Sequence, residues 1–510
     1  MLYAMNEFSF TPRLLAVGIS LLLCGCAVGP AYHPPGAANL GVPPAYAPPV
    51  TRVSSSSSDR EPGPAPADLA IWWRQFDDPL LSDLIARATA GNLQIAQSLA
   101  RLQEAREARI QARSDLLPSL NGSAGVGQNF THGGSSSIVV GGGNGSPGTV
   151  VTTGGSSSTT QLSVGLDASW QADLFGGLRR SVEAARADEA AAGFDLEGVR
   201  TSIAGEVATN YINARLAQAR LLIARNTLST QDDNLQIAEW RVEAGLASAL
   251  DVEQARSQRA QTAATIPTLQ SSYLQAVARL GTLTGQAPGA LRAAMETVRP
   301  IPKGPSDIAI GIPADTLRRR PDVRSAERQL AAATARIGVA KAALFPALSI
   351  SGNINSDAAS IGKLGSLITG GLFAGLTQTI FDAGKRASQV RSARAATDLA
   401  FANYKQVVLS GLEDVENAVQ ALEAAKARQR ELEVAVDASN NAAIYARSQY
   451  RSGLIDFLSL LQSEQALLSA RDQLATAEAD QALALVQLYL ALGGGWQPDA
   501  PQLVENARND

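Results

Sequence analysis

The stretch Phe175-Gly-Gly-Leu-Arg-Arg180 decides the fold of this chain, because a matching stretch, Phe381-Asp-Ala-Gly-Lys-Arg386, appears again further along. A Gly-Leu pair follows each stretch at nearly the same distance, 70 residues after Phe175 and 72 residues after Phe381. Gly285 and Gly493 then close the two copies. Landmarks that recur with equal spacers indicate two copies of one supersecondary unit, so we expect an internal duplication.

Alternating residues predict a β-strand hairpin before the long helix in each copy. Within residues 161–174 one face of the predicted strand is apolar and comprises Leu162, Val164, Leu166, Ala168 and Trp170. Alternation with a period of two argues for a strand that has one apolar face. We therefore expect strands in residues 119–130 and 161–174, within a hairpin that covers 119–174, and a second hairpin within 347–381.

The two hairpins differ in length, and the difference falls in a stretch of unusual composition. Residues 131–160 are rich in Gly, Ser and Thr, which cannot bury enough apolar surface to fold alone. From Pro118 to Phe175 the chain runs 57 residues, whereas from Pro346 to Phe381 it runs 35. The extra residues are placed most simply in 131–160, which we expect to be a mobile loop.

Long helices are predicted after the hairpins, over about residues 176–244 and 384–452, with return helices over 250–284 and 458–492. The second long helix carries a heptad pattern typical of coiled coils, made by Phe401, Tyr404, Val408, Gly411, Val415, Ala418 and Leu422. Nearly 70 residues at 1.5 Å per residue give each long helix a length of ~100 Å. A heptad pattern of this kind on its own favours a structural rod.

The strands argue against a plain rod. Two strands form no stable sheet, and four strands with one apolar face leave open edges that a membrane does not tolerate. Several chains must therefore combine to close a barrel.

The N-terminal residues predict export and attachment to lipid. The apolar run from Leu14 to Leu23 has the length of a signal-peptide core and ends Leu23-Cys-Gly-Cys26, which resembles the lipobox of bacterial lipoproteins. We expect residues 1–25 to be a signal peptide, Cys26 to carry the lipid, and the Pro- and Ser-rich residues 26–67 to form a tether. An ordinary signal peptide with an incidental cysteine is the alternative.

Composition argues against an enzyme and against a nucleic-acid partner. The net charge of -4 gives no electrostatic footprint for nucleic acid. The two histidines, His33 and His132, fall in the tether and in the Gly-rich stretch, so a zinc site or a Cys/His nucleophile pair is hard to assemble. We expect no catalytic residues, no metal and no cofactor.

Six short motifs follow one another in a distinctive order along residues 68–497. They are Trp73-Arg-Gln-Phe-Asp-Asp-Pro79, Trp170-Gln-Ala-Asp-Leu-Phe-Gly-Gly177, Gly245-Leu-Ala-Ser-Ala-Leu-Asp251, Arg318-Arg-Arg-Pro-Asp-Val323 through Ala343-Leu-Phe-Pro346, Tyr450-Arg-Ser-Gly-Leu-Ile-Asp-Phe-Leu458 and Leu492-Gly-Gly-Gly-Trp496. Each is weak alone, but their order and spacing resemble the outer membrane factor family of tripartite efflux pumps, the TolC-like channels. Within that family they resemble the lipoprotein branch serving resistance-nodulation-division transporters.

The resemblance implies a mixed α/β membrane protein in the outer membrane of a Gram-negative bacterium. A homotrimer would form a 12-stranded β-barrel, with four strands from each chain, continued by a long coiled-coil α-helical barrel in the periplasm. The chain would be a passive efflux duct, and its partners would be a periplasmic adaptor, an inner-membrane pump and outer-membrane lipid. Ala27, directly after the lipid-bearing cysteine, favours the outer membrane over retention at the inner membrane.

The domain organisation that follows has a first structural repeat in residues 68–300, a second in 301–497 and a C-terminal tail in 498–510.

The sequence does not identify the exported compound: drugs, solvents, metal ions and signalling molecules all stay open. A duct for type I protein secretion, or a periplasmic coiled-coil structural lipoprotein, is the alternative function.

The resemblance also assigns roles to five residues at the periplasmic tip. Leu458 and Gln462 fall on the positions that form the family's constriction, although relatives often have an acidic residue in place of Gln462. Asp251 and Asp456 are nearby acidic candidates, with capping of a return helix as the equally weighted alternative. Tyr450 matches a residue whose hydroxyl pins neighbouring helices shut, with ordinary packing in the helix seam as its alternative.

Overall fold

The computed structural model describes residues 28–42, 69–131, 135–139, 150–154, 157–305 and 318–497. The predictions for the signal peptide, for Cys26, for most of the tether and for the C-terminal tail lie outside the described residues. The chain divides into two compact units. The sheet unit comprises Met1–Tyr32, Arg106–Ala187 and Ala331–Asp398, and the helical unit comprises His33–Ala105, Asp188–Leu330 and Leu399–Asp510.

Seven helices of more than one turn are present among the described residues. They are α1 (Pro79–Gly91), α2 (Leu93–Ser114), α3 (Gly177–Glu243), α4 (Ala249–Leu283), α5 (Pro321–Ala342), α6 (Lys385–Arg451) and α7 (Phe457–Ala491). Short helical turns occupy Ala37–Leu40, Trp72–Phe76, Arg292–Met295 and Ile361–Lys363. The described part of the chain contains no helix that combines the length and the apolar composition needed to cross a bilayer.

Helix lengths confirm the internal duplication. The long helices α3 and α6 both have 67 residues, and the return helices α4 and α7 both have 35. The preceding helices α2 and α5 both have 22 residues. The sequence landmarks therefore mark equivalent helix boundaries in two copies of one unit.

Six strands are described, and four of them form one antiparallel sheet. The strands are β1 (Ser119–Thr131), β2 (Ser135–Val139), β3 (Val150–Gly154), β4 (Ser157–Ala172), β5 (Ala347–Ala358) and β6 (Ile368–Thr377). The sheet order is β1-β4-β5-β6, so the hairpins of the two copies pair through β4 and β5.

The expectation that residues 131–160 lack regular structure is wrong for part of that stretch. Strands β2 and β3 pair with each other as a separate two-stranded sheet, with Ile138 opposite Val151 and Val139 opposite Val150. Strand β4 also begins at Ser157, four residues earlier than predicted. The prediction was based on the composition of the whole stretch 131–160. That composition does not reveal two short runs of β-branched residues, which have high strand propensity.

A large apolar core holds the helical unit together. Trp72 is fully buried and stacks on Tyr489 of α7, with 5.5 Å between the ring centroids. Helix α1 begins where the Asp78 carboxylate accepts hydrogen bonds from the Leu80 and Leu81 N–H groups, at 2.9 and 3.2 Å. Pro79 follows at the first helical position, which lacks an intrahelical N–H partner in any case.

One charged side chain, Arg215 of α3, is completely buried in this unit. Its guanidinium donates to the Gln218 side chain at 2.6 Å, to the Thr297 carbonyl at 2.8 Å and to the Tyr211 hydroxyl at 3.1 Å. Tyr211 in turn donates to the Asp78 carboxylate at 2.5 Å, and burial raises the pKa of Tyr211 to about 12. The network therefore ties α3 to the start of α1 and to the segment after α4.

Candidate functional site

Two return loops of the helical unit carry the residues predicted to form the constriction. Helix α3 turns back at Gly245 and α6 at Gly453, with φ angles of +70° and +73° that L side chains rarely adopt. In each loop the next N–H reaches back across the last turn: Leu246 donates to the Arg241 carbonyl at 2.7 Å, and Leu454 donates to the Gln449 carbonyl at 2.9 Å. These Schellman motifs end both long helices at matching positions.

Capping interactions fix the first turn of each return helix. Asp456 is the N-cap of α7 and accepts a hydrogen bond from the Ser459 N–H at 2.8 Å. Hydrogen bonds from Ser459 lower the pKa of the Asp456 carboxyl. In α4 the N-cap is Ser248, which accepts from the Leu250 N–H at 3.1 Å, while the Asp251 carboxylate accepts from the Ser248 N–H at 3.4 Å.

The structure therefore places both acidic candidates in helix-capping roles within the single chain. Asp456 caps directly, whereas Asp251 contributes from the third helical position of a capping box. Sequence reasoning missed Ser248, although the Ser-x-x-Asp spacing before an apolar-patterned helix is the signal that would have found it.

Tyr450 is buried, with 4% of its surface exposed, and contacts residues of α3 and α7. Its ring packs on Phe457 at 5.4 Å between centroids, and the Arg241 guanidinium lies 4.6 Å from its ring centroid. Arg241 of α3 also donates to the Tyr450 carbonyl at 2.8 Å, so one arginine joins α3 to the end of α6. Arg241 was not predicted from the sequence.

The hydroxyl of Tyr450 is buried and has no hydrogen-bond partner among the described residues. Burial raises the pKa of Tyr450, the positive charge of Arg241 offsets part of that effect, and the negative charge of Asp251 adds to it. Within one chain the ring of Tyr450 therefore contributes packing, whereas its hydroxyl contributes no hydrogen bond to the described residues.

Replacing Tyr450 with phenylalanine removes the hydroxyl and keeps the ring. The variant therefore separates the packing of the ring from a hydrogen bond of the hydroxyl to a neighbouring chain. Because the hydroxyl has no partner within the chain, we expect Tyr450→Phe to change the thermal stability by under about 1 kcal/mol. If the hydroxyl pins helices of neighbouring chains, the same variant will raise the channel conductance in planar bilayers. An unchanged conductance would leave seam packing as the only role of Tyr450.

Leu458 and Gln462 share one exposed face at the start of α7. They lie four residues apart, which places them one above the other on a helix. Leu458 is 49% exposed and Gln462 is also exposed, whereas the intervening Leu460 is buried. The chain itself thus leaves both predicted constriction residues free to face something outside it.

An ion pair with a buried carboxylate and a partly exposed arginine holds α7 behind that face. Glu464 is only 5% exposed and accepts from the Arg447 Nε at 2.9 Å and from the Asn234 Nδ2 at 2.6 Å. These contacts connect α7 to both α6 and α3. Sequence reasoning missed Glu464, because a single Glu in an Ala-rich helix carries no signal of burial.

The four-stranded sheet presents two chemically different faces. One face exposes large apolar side chains, namely Leu120, Val126, Phe130, Val164, Leu166, Trp170, Ile354, Ile368, Leu372 and Leu376. The opposite face is polar and includes Asn121, Asp167, Asn353 and Asp357. None of β1, β4, β5 and β6 contains Lys or Arg, so the polar face carries only negative formal charge. Such a sheet suits lipid on one side and water on the other.

Comparisons with known proteins agree with this arrangement. The profile of the family described as "Outer membrane efflux protein" matches residues 84–286 and 312–494. Nodulation protein T of Rhizobium leguminosarum bv. trifolii is 29% identical over 484 residues, which cover 94% of this chain and 97% of the relative. The toluene efflux pump outer membrane protein TtgF of Pseudomonas putida is 30% identical over 500 residues, which cover 94% of this chain and 96% of the relative.

A solved structure shows the same fold. The structure described as the outer-membrane channel OprN superposes with a TM-score of 0.79 and is 34% identical. The match covers 93% of this chain and 100% of the OprN chain. The duplicated helices and the strand hairpins therefore both belong to the shared architecture.

Proposed function

Because the chain belongs to the outer membrane efflux protein family, we propose that three copies of it assemble into a passive duct through the outer membrane. The chain's general function is efflux through that membrane. In the proposed trimer, four strands from each copy complete a 12-stranded barrel, and the long helices continue the duct as a coiled-coil barrel.

One observation carries the proposal: a sheet with an exposed apolar face and two open edges. Within the described residues β1 and β6 each pair on one side only. Open edges in hydrocarbon leave backbone N–H and C=O groups unpaired, at a cost of several kcal/mol per group. Closure through further copies of the same sheet satisfies those edges and places the polar face around a water-filled lumen.

The partners follow from the position of the duct in the cell. We propose a periplasmic adaptor and an inner-membrane pump of the resistance-nodulation-division type, since the duct itself has no means of supplying energy. Small toxic compounds are the proposed cargo, in line with a relative that is named as part of a toluene efflux pump. A duct for type I protein secretion is the competing assignment.

Stoichiometry and conductance together test this function. Native mass spectrometry of the detergent-solubilised protein should give three times the mass of the mature chain, and the same sample should form ion-conducting pores in planar bilayers. Deletion of the gene should sensitise the cells to a panel of small toxic compounds. A monomer that forms no pore would refute the duct, whereas a pore with a defect only in protein secretion would favour the competing assignment.

The proposed lipid anchor has its own test. We expect Cys26 to be the N-terminal residue of the mature chain and to carry a diacylglyceryl group, because a signal-like apolar run ends in Leu23-Cys-Gly-Cys26. Mass spectrometry of the N-terminal peptide from purified membranes measures this directly. An unmodified N-terminus at another residue would contradict it, and Cys26→Ala is the matched negative control.

The insertion between β1 and β4 should be dispensable for assembly. Strands β2 and β3 form a sheet of their own and contribute no strand to the sheet β1-β4-β5-β6. Replacing about 22 residues within 131–160 by a short turn should leave trimers and efflux intact, because β2 and β3 pair with each other and not with the four-stranded sheet. Loss of trimers on native gels would show that the insertion takes part in assembly.

A further inference from the structure

An aromatic side chain, Phe373, interrupts the polar face of the four-stranded sheet. In the register of the sheet Phe373 lies opposite Ser351, which lies opposite Ser169, which lies opposite Ser119. Side chains directly opposite one another in a sheet share a face, so Phe373 belongs to a row that is otherwise serine. Its side chain is 61% exposed. Most of the ring is therefore not packed against other residues of this chain.

The ring leans along its own strand over Gly371. A Cβ atom added at Gly371 would lie 2.7 Å from the Cζ and 2.8 Å from the Cε2 of Phe373, closer than non-bonded atoms approach. Gly371 has no unusual backbone angle, so its lack of a side chain provides space and not conformational freedom. The glycine thus lets the ring lie along the wall of the sheet with one face open.

A buried polar atom lies beside the ring. The Asn353 Oδ1 is 3.4 Å from the same point at Gly371, is buried, and has no hydrogen-bond partner among the described residues. Asn353 pairs in register with Gly371 on one side and with Asp167 on the other. Neighbouring strands lie about 4.8 Å apart, so the strand of the exposed Asp167 carboxylate lies about 10 Å from the strand of the ring.

We propose that Phe373, Asn353 and Asp167 form a transient binding site on the duct wall for organic cations with an aromatic or apolar body. The inference rests on the proposed function, because the polar face becomes a duct wall only when three copies close the barrel. The open ring face attracts a cation through its quadrupole, and the carboxylate attracts it by charge. Weak binding of this kind suits a duct, because cargo must both enter a site and leave it.

The charges of the sheet favour a cation over an anion. Asp167 and Asp357 lie on the polar face, and the four strands contain no basic residue. An organic anion of the same size and shape would therefore be repelled at the position where the cation binds.

Current block in planar bilayers tests the site with a defined pair of probes. Tetraphenylphosphonium and tetraphenylborate have nearly the same shape and opposite charge. With the full-length wild-type protein, we expect tetraphenylphosphonium to block the current with longer dwell times than tetraphenylborate. Phe373→Ser should shorten the tetraphenylphosphonium dwell time about fivefold, as expected for loss of a cation–π contact, while Phe373→Tyr should retain it.

Two matched pairs of variants locate the effect. Asp167→Asn should shorten the dwell time, whereas Asp357→Asn should change it much less, because Asp357 lies four residues along β5 from Asn353, or about 13 Å. Gly371→Ala should displace the ring and alter the dwell time. Gly375→Ala is its control, because a Cβ there would only meet the Ser349 Oγ at an ordinary 3.5 Å.

The outcomes distinguish the site from the proposed function. A wild-type protein that forms no pores would refute the duct and the site together. Wild-type pores with tetraphenylphosphonium dwell times that stay unchanged in Phe373→Ser would overturn the site alone. Equal block by the cation and the anion would likewise overturn the proposed cation preference and leave the duct intact.

Discussion

Replacing Arg215 with methionine should prevent the chain from accumulating as a stable trimer. The substitution keeps much of the side-chain volume but removes the donors to the Gln218 side chain, the Thr297 carbonyl and the Tyr211 hydroxyl. Buried acceptors left without a donor cost about 1–3 kcal/mol each. The summed loss is comparable with the 5–15 kcal/mol net stability of a typical protein.

The matched control for this prediction is Arg220→Met on the same helix. Arg220 pairs with Asp472 at 2.6 Å, but both side chains are more than one third exposed. Exposed ion pairs contribute about 0–1 kcal/mol, so the control should be close to wild type. The amount of trimer on native gels and limited proteolysis, both in isolated membranes, measure the difference. Equal stabilities for the two variants would show that the Arg215 network does not support the helical unit.

Replacing Leu458 with serine should raise the single-channel conductance. If three copies bring the exposed face of α7 to the duct axis, Leu458 forms an apolar ring there, and a narrow apolar ring closes a pore by dewetting. A hydroxyl at that position hydrates the constriction and so favours the open pore. Planar-bilayer recordings at fixed salt measure the change. The control variant is Leu246→Ser. Leu246 is also an exposed leucine, but it lies in the return loop of the first copy, at the position that corresponds to Leu454 and not to Leu458.

Replacing Gln462 with aspartate should increase the preference for cations over anions. Gln462 lies one turn beyond Leu458 on the same exposed face, and three carboxylates in a ring attract cations into a pore. Reversal potentials in a salt gradient measure the selectivity. If neither the Leu458 nor the Gln462 variant changes the pore, the constriction lies elsewhere, with Asp251 and Asp456 as the next candidates.

The parts of the fold that follow a long repeated pattern could be predicted from the sequence. Glycines at 245 and 453 end the long helices because the backbone there requires φ angles that other residues strain to adopt. The alternation in β4 likewise assigned its apolar and polar faces, because side chains in a strand point to opposite faces with a period of two.

The parts that depend on contacts between distant segments could not be predicted in this way. Arg241 and Glu464 look like ordinary surface charges of long helices. The packing of α3 against the end of α6 brings Arg241 to Tyr450, and the return of α7 along α6 brings Glu464 to Arg447. The position of Phe373 on the polar face could not be predicted for a related reason. That position is defined by the register of β6 with β5 and not by the Gly-rich sequence of β6 itself.

Cysteine scanning along β4 tests whether copies of this sheet close into a barrel with the polar face around a water-filled duct. The chain has only two cysteines, Cys24 and Cys26, so single introduced cysteines are easily followed. Residues 161–168 would be replaced one at a time and treated, in intact proteoliposomes, with a water-soluble maleimide.

We expect the odd-numbered positions, such as Ser163 and Asp167, to react quickly through the duct. The even-numbered positions, such as Val164 and Leu166, should react slowly because lipid covers them. Uniform reactivity along β4, or faster reaction at the even-numbered positions, would contradict a closed barrel with a polar interior.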